Sequence, residues 1–211
     1  MTYTEAHTQI DNLLDKTGTG YFNESEKNRF LDLAVLEYTK GLINVLESDS
    51  ESMIKIAPLT VKSSEITPIA TSNNLENSYS LPDNFYHLLR AYTASSNYSI
   101  NIMSHNEYAS AKNNPFHRPD TENPIAFFRG AALSTKLIVV GNNENVFVEY
   151  IKQPHMTNGD STVATSTGIN VGGYGVNSSE EIVNIAVRKM MLSLEDPRYQ
   201  LQNNELTADK R

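Results

Sequence analysis

The 211-residue chain has no cysteine and no tryptophan, and acidic residues outnumber basic ones. Without cysteine, neither a disulfide framework nor a thiolate metal site is available. No apolar run reaches the roughly 18 residues that a membrane-spanning helix requires, and segment 1–16 lacks the basic and apolar regions of a signal peptide. We therefore expect a protein that is made in the cytoplasm and does not bind membranes.

The charge balance restricts the kind of partner. The chain has 17 Lys and Arg against 25 Asp and Glu, which gives a formal net charge of −8. Duplex binding is driven by basic side chains that release counterions from phosphates, so this balance argues against a protein that grips nucleic acid. It suits a surface past which DNA slides without adhering.

Hydrophobic periodicity indicates helices at both ends of the chain. Apolar residues recur at helical spacing in 3–14, in 23–48 and after Ser178. The apolar stripe of the second helix is wide, and Leu33 and Val45 are assigned to it. Such width predicts contact on more than one side, in a bundle or between subunits.

The middle of the chain reads as strands. Short β-branched and aromatic segments, separated by Asn, Gly, Pro and Ser, run from 52 to 151, and 141–145 has the composition of a hairpin turn. Ser104 and Glu107 have the spacing of a capping box at the start of one inserted helix. The pattern predicts an α+β fold, with terminal helices forming a small bundle and a central, mostly antiparallel β region.

Four segments make up this predicted organisation, and we expect them to form one structural unit. They are an N-terminal helical part (1–51), a central β region (52–154), a glycine-rich loop or arm (155–177) and a C-terminal helix with its tail, packed on the N-terminal helices (178–211).

The stretch "GINVGGYG" at 168–175 raises the question of a phosphate site, because glycine-rich turns before helices bind phosphate. A Walker A loop ends in Gly-Lys-Ser/Thr, and no lysine follows Gly175. The spacing also differs from the dinucleotide-binding fingerprint. The sequence therefore predicts a loop and no nucleotide site.

We expect this loop to serve as an arm. Segment 155–177 has few large apolar residues, so alone it cannot offset about 1–2 kcal/mol per residue of lost backbone entropy. We expect it to be mobile in an isolated subunit and to order by pairing with a neighbour. Its candidate subunit-contact residues are Ile169, Val171, Tyr174 and Val176.

Nothing in the sequence calls for catalysis. The five histidines are scattered, none has metal-ligand spacing with another, and no nucleophile elbow is present. We predict no catalytic, metal or cofactor site. The alternative is a small hydrolase that uses His105 or His117, which would need a pocket with converging polar groups.

The proline-containing stretch "NNPFHRPDTENPIAFFRG" has two interpretations. It is either a recognition segment or a stiff crossover that packs on its own sheet. The crossover is the commoner use of such a loop, and we favour it.

The order of elements resembles the head–tail connector (adaptor) proteins of tailed bacteriophages, most closely the ring proteins of crAss-like phages. The similar segments span most of the chain from about residue 2 to residue 202. They are "RFLDLAVLEYTKGLINVL", "YSLPDNFYHLLRAY", "HNEYASAKNNPFHRPDTENPIAFF", "VFVEYIKQP" and "SSEEIVNIAVRKMMLSLEDPRYQ".

The resemblance implies a virion structural protein of the neck or tail region, without enzymatic activity. Such proteins form a homo-oligomeric ring, expected to have twelve copies, between the portal protein and the next connector or tail protein. DNA passes through the ring without sequence-specific binding. A tail-tube or gatekeeper protein, or a non-catalytic β-rich binding module, is the alternative.

Overall fold

The computed structural model describes residues 1–15, 22–46, 48–71, 76–114, 116, 118–131, 134–157 and 170–193. These residues form two compact units: a helical unit, which combines 1–59 with the chain from 154 onward, and a sheet unit, 60–153. The described α-helices are α1 (Tyr3–Asp15), α2 (Glu24–Val45), α3 (Ser50–Ile56), α4 (His105–Lys112) and α5 (Val176–Ser193). The α+β class is confirmed.

The start of α2 is fixed by a capping box. The Asn23 side chain accepts a hydrogen bond from the backbone N–H of Glu26 (2.9 Å), and the Glu26 carboxylate accepts one from the backbone N–H of Asn23 (2.9 Å). Two backbone donors that the helix leaves unpaired are thereby satisfied. The same motif starts α4, where Ser104 and Glu107 pair as the sequence predicts.

The segment that follows α2 differs from the prediction. The sequence places a strand after residue 52, whereas α3 and a 3₁₀ turn (Ala57–Leu59) occupy this stretch and the first strand begins at Thr60. Asp49 caps α3 by accepting hydrogen bonds from the backbone N–H groups of Glu51 and Ser52 (3.1 Å each). The capping interaction outweighs the weak β preference of so short a segment.

The terminal helices pack together, as predicted. Helix α5 lies against both α1 and α2. Its buried apolar residues are Ile182, Val183, Ala186, Val187 and Met190. Segment 194–211, which the prediction includes in this part, lies outside the described residues.

The width of the α2 stripe is explained within the subunit. On the α1 side, Lys27 forms an ion pair with Asp11, and on the α5 side Lys189 forms one with Glu37 (2.5 Å). The helix is therefore covered from several directions by its own chain, which is the bundle interpretation. Leu33 is 53 % exposed and Val45 is 43 % exposed, so these two members of the predicted stripe are not covered within the subunit.

The described residues of the sheet unit form eight strands in the spatial order β1-β8-β4-β5-β6-β7-β3-β2, with all neighbours antiparallel except β5 and β6. The strands are β1 (Thr60–Ile66), β2 (Pro68–Thr71), β3 (Glu76–Ser80), β4 (Phe85–Thr93), β5 (Ser99–Ile102), β6 (Ile125–Ala131), β7 (Ser134–Val140) and β8 (Val146–Lys152).

The connection between β1 and β2 requires the sheet to curl. These strands lie at opposite ends of the spatial order, yet only Thr67 separates them in the chain. Because one residue spans only about 3.5 Å, the two edges must lie close together. The sheet thus wraps around an apolar interior. The main interior residues are Ile66, Tyr79, Leu88, Ala91, Ile100, Ala126, Leu137, Val139, Val146, Val148 and Tyr150.

Helix α4 covers the outer face of part of this sheet. The Tyr108 ring stacks on that of Phe127 (centroids 4.6 Å apart), and the Tyr108 hydroxyl donates a hydrogen bond to Glu76 (2.8 Å). Burial raises the pKa of Tyr108 to about 12. The chain runs from β5 through α4 and 113–124 to the parallel strand β6, so the proline-containing stretch is a crossover, as favoured.

The hairpin predicted at 141–145 does not form, because β7 pairs with β3 and β6 while β8 pairs with β1 and β4. At Gly141, φ is +91°, and a Cβ there would lie 2.4 Å from the Asp120 carbonyl oxygen. The loop that follows is held by the Tyr79 hydroxyl, which donates to the Glu144 carbonyl (2.5 Å). The stretch is a crossover between the two parts of the curled sheet.

Charge placed on the buried face of α5 should destabilise the protein. Val187 is 6 % exposed, so Val187→Asp buries an unpaired carboxylate and should lower the free energy of unfolding by about 3–5 kcal/mol. Leu192→Asp, on the same helix at a position 50 % exposed, is the matched control and should change it by about 0.5 kcal/mol or less. Urea denaturation measures both, and equal stability of the two variants would contradict the packing described.

Candidate functional site

The segment 155–177, which the sequence singles out as a possible arm, is described at both ends. Its first part, 155–157, is anchored in the helical unit. The Thr157 backbone N–H and hydroxyl donate to the two carboxylate oxygens of Asp32 on α2, at 2.9 and 3.0 Å. The His155 carbonyl accepts a hydrogen bond from the Tyr3 hydroxyl (3.1 Å). All of the partners are buried or partly buried, so this stem is fixed.

The second part begins at Asn170 and is fastened to the N-terminus. Thr2 forms an antiparallel bridge with Asn170, and the Val171 backbone N–H donates to the Met1 carbonyl (3.0 Å). Gly172 forms an antiparallel bridge with His155, in which the His155 backbone N–H donates a hydrogen bond to the Gly172 carbonyl (3.3 Å). The two stems therefore lie side by side.

Tyr3 lies between the stems and joins them. Its hydroxyl also accepts a hydrogen bond from the Gly172 backbone N–H (3.3 Å), and its ring lies 6.0 Å from that of His155. Burial is the main cause that raises the pKa of Tyr3 to about 12, and the nearby charge of Asp32 acts in the same direction. Tyr3 is therefore a neutral hydrogen-bonding group at physiological pH.

Between Gly172 and α5, the side chain of Tyr174 is buried in the helical unit. This side chain is fully buried, its hydroxyl is 2.7 Å from that of Thr39, and its ring packs edge-on against Tyr38 (5.4 Å). Gly172 makes the approach possible because its φ is +62° and a Cβ would lie 2.9 Å from Val35 Cγ1. Only glycine fits here without displacing α2.

The candidate contact residues have different positions. Val171 and Tyr174 are both 0 % exposed in their own subunit, so in this conformation neither is available to a neighbour, and the expectation for them is corrected. Val176, the first residue of α5, is 58 % exposed and remains accessible. Ile169 lies outside the described residues, as does the rest of 158–169, the middle of the segment 155–177 for which mobility was expected.

A second accessible apolar surface lies at the C-terminal end of α2 and on α3. We call it the α2–α3 corner and define it as Val45, Met53 and Ile54, which are 43 %, 51 % and 74 % exposed. Beside it, Lys55 pairs with Glu51 (3.0 Å) and with Glu181 of α5 (2.9 Å). Sequence reasoning missed this corner because it assigned α3 to the β region.

The described histidines serve different parts of the structure. His7 Nε2 lies 2.7 Å from the Asn28 amide oxygen, and the ring of His105 packs edge-on against Phe127 (5.2 Å). His117 lies outside the described residues. Within the described part of the chain, no group of three or more His, Asp or Glu is arranged to hold a metal ion.

Comparisons with known proteins add no relationship. Neither the protein-family models nor the curated proteins gave a match for this chain. Among the helices of the described residues, none has the length and apolar character to cross a membrane.

The close approach of Gly172 to α2 predicts a sensitive position. Gly172→Ala should lower the free energy of unfolding by about 2–4 kcal/mol, because it adds left-handed backbone strain and a clash with Val35. Gly175→Ala is the matched control, since a Cβ there meets no atom within 4 Å. Thermal unfolding of both variants checks this, and a Gly172→Ala variant as stable as Gly175→Ala would show that the segment is not seated against α2.

Proposed function

We propose that this protein is a structural subunit of the neck of a tailed bacteriophage virion. In this role it forms a closed homo-oligomeric ring below the portal protein and contributes to the channel through which DNA leaves the capsid. The function is mechanical and involves no catalysis.

The observation that carries the proposal is the apolar α2–α3 corner of the helical unit, where three large apolar side chains are exposed. Met53 and Ile54 are adjacent and exposed, whereas Ser52 and Ile56 of the same short helix are buried. An exposed apolar surface of this kind is typical of a protein interface. A heterologous contact that repeats around an axis closes into a ring.

The resemblance to connector proteins supports the same role. The segments that carry it fall on α2, on the turn between β3 and β4, on α4 with its crossover, on β8 and on α5. The turn is formed as its sequence indicates, with the Phe85 N–H donating to the Pro82 carbonyl (2.9 Å).

The charge of the chain suits a DNA channel. A net charge of −8 repels phosphates, so DNA that passes such a surface is not held. This argument does not depend on the α2–α3 corner. It concerns the DNA that passes through the ring, whereas the corner concerns the contact between subunits.

Assembly is the direct test. Light scattering coupled to size exclusion, with negative-stain images of the same fractions, should show closed rings, with twelve copies as the expected number. Ile54→Asp should keep the melting temperature of the wild type, since the side chain is 74 % exposed, and should prevent ring formation. Leu33→Asp, at an exposed position of α2 outside the corner, is the control and should assemble.

Two results would contradict the proposal. One is a protein that stays monomeric at every accessible concentration. The other is an Ile54→Asp variant that assembles like the wild type. Open tubes in place of closed rings would favour the tail-tube alternative.

A further inference from the structure

The sheet unit contains a groove between α4 and the crossover that follows it. It has a volume of about 740 Å³, and its described lining comes from β5, from Met103, from one face of α4 and from residues 114, 116, 118, 120 and 123–125. This volume falls within the range of small-molecule binding sites, which is about 300–1,000 Å³. The groove is formed entirely within one unit.

Four polar side chains of this groove take no part in holding the fold together. They are Ser99 and Asn101 of β5, Asn106 of α4 and Arg118 of the crossover. All four are exposed, and in the described structure their side chains make no hydrogen bond or ion pair. Their donors and acceptors are therefore available to a ligand.

An aromatic side chain lies beside these groups. Phe116 lines the groove and is 90 % exposed, the highest value among the large apolar residues of the described chain. A single exposed apolar residue needs no special explanation. Here, however, Phe116 lines a concave surface together with amide and hydroxyl side chains, which suits a ligand with one apolar and several polar faces.

The charge of the groove argues against an anionic ligand. Glu107 lines it together with Arg118, and a hydrogen bond from the Ser104 backbone N–H lowers the Glu107 pKa, so that the carboxylate is ionised at neutral pH. Asp120 contributes a second acidic side chain. One arginine beside two acidic residues gives no excess of positive charge for phosphate or carboxylate.

We propose that this groove binds a neutral carbohydrate of one or two pyranose rings. A sugar hydroxyl both donates and accepts hydrogen bonds, and so does a primary amide. Asn101 and Asn106 can therefore bond a sugar hydroxyl whichever way its hydrogen points. The C–H face of a pyranose packs against an aromatic ring, which is the role of Phe116. This binding function is independent of ring assembly.

The groove also bears on the hydrolase alternative raised by the sequence. That alternative requires His105 or His117 in a pocket with converging polar groups. The described lining includes no histidine, and the His105 ring packs on Phe127. The groove thus has the polar groups of a binding site but lacks, in its described part, the general base that the alternative assigned to it.

Titration of the ¹⁵N-labelled protein with maltose, cellobiose, lactose and N,N′-diacetylchitobiose tests the proposal. At least one of these disaccharides should shift amide resonances within 99–125, with a Kd of about 1 mM or tighter. Phe116→Ala and Asn106→Ala should each weaken that binding about tenfold. Both side chains are exposed, so their melting temperatures should equal that of the wild type.

Tyr98→Ala is the matched control, because Tyr98 is an exposed aromatic residue close in the chain that does not line the groove. It should leave the Kd unchanged. The proposal is overturned if none of the four sugars produces shifts, if the shifts lie outside 99–125, or if Phe116→Ala binds as the wild type does. Binding of unstructured peptides in this groove, with the sugars inactive, would also overturn it.

Discussion

The bond between Asp32 and Thr157 determines how the two ends of the chain become one helical unit. Asp32 lies on α2 and is 7 % exposed, and both of its carboxylate oxygens accept hydrogen bonds from Thr157. The chain leaves the helical unit after Leu59 and returns at Pro154, three residues before this anchor. A buried carboxylate without partners is strongly unfavourable. The return of the chain is therefore tied to one position on α2, and the stem that leads to α5 is held beside it.

The two units are held together in different ways. In the helical unit, backbone bonds join residues far apart in sequence, as where Val171 binds the Met1 carbonyl. In the sheet unit, the direct connection of β1 to β2 brings the ends of the two edge strands close together, so the sheet curls around its apolar interior. We propose that contacts with other molecules are made by surfaces other than the sheet edges, with self-assembly at the α2–α3 corner and binding of a small ligand in the groove beside α4.

Local signals made much of the fold predictable, and non-local contacts account for what was missed. The capping boxes before α2 and α4 depend on residues three apart, and the one before α4 was found from the sequence. The pairing partners of β8 depend on the curl of the whole sheet, so the hairpin prediction was wrong. Tyr174 was assigned to a neighbour because few apolar residues surround it in sequence, whereas its contacts, Thr39 and Tyr38, come from α2. The groove was not predicted, since it arises only when the crossover folds back along α4.

A double-mutant cycle on Asp32 and Thr157 tests the central claim most directly. Asp32→Ala should lower the free energy of unfolding by about 2–4 kcal/mol and Thr157→Ala by about 1 kcal/mol, because the alanine at 157 keeps its backbone donor. The account predicts that the double variant loses clearly less than the sum of the two, with a coupling energy of about 1 kcal/mol or more. Additive effects within about 0.5 kcal/mol would contradict it, since they would show that the two residues do not act together in the folded protein.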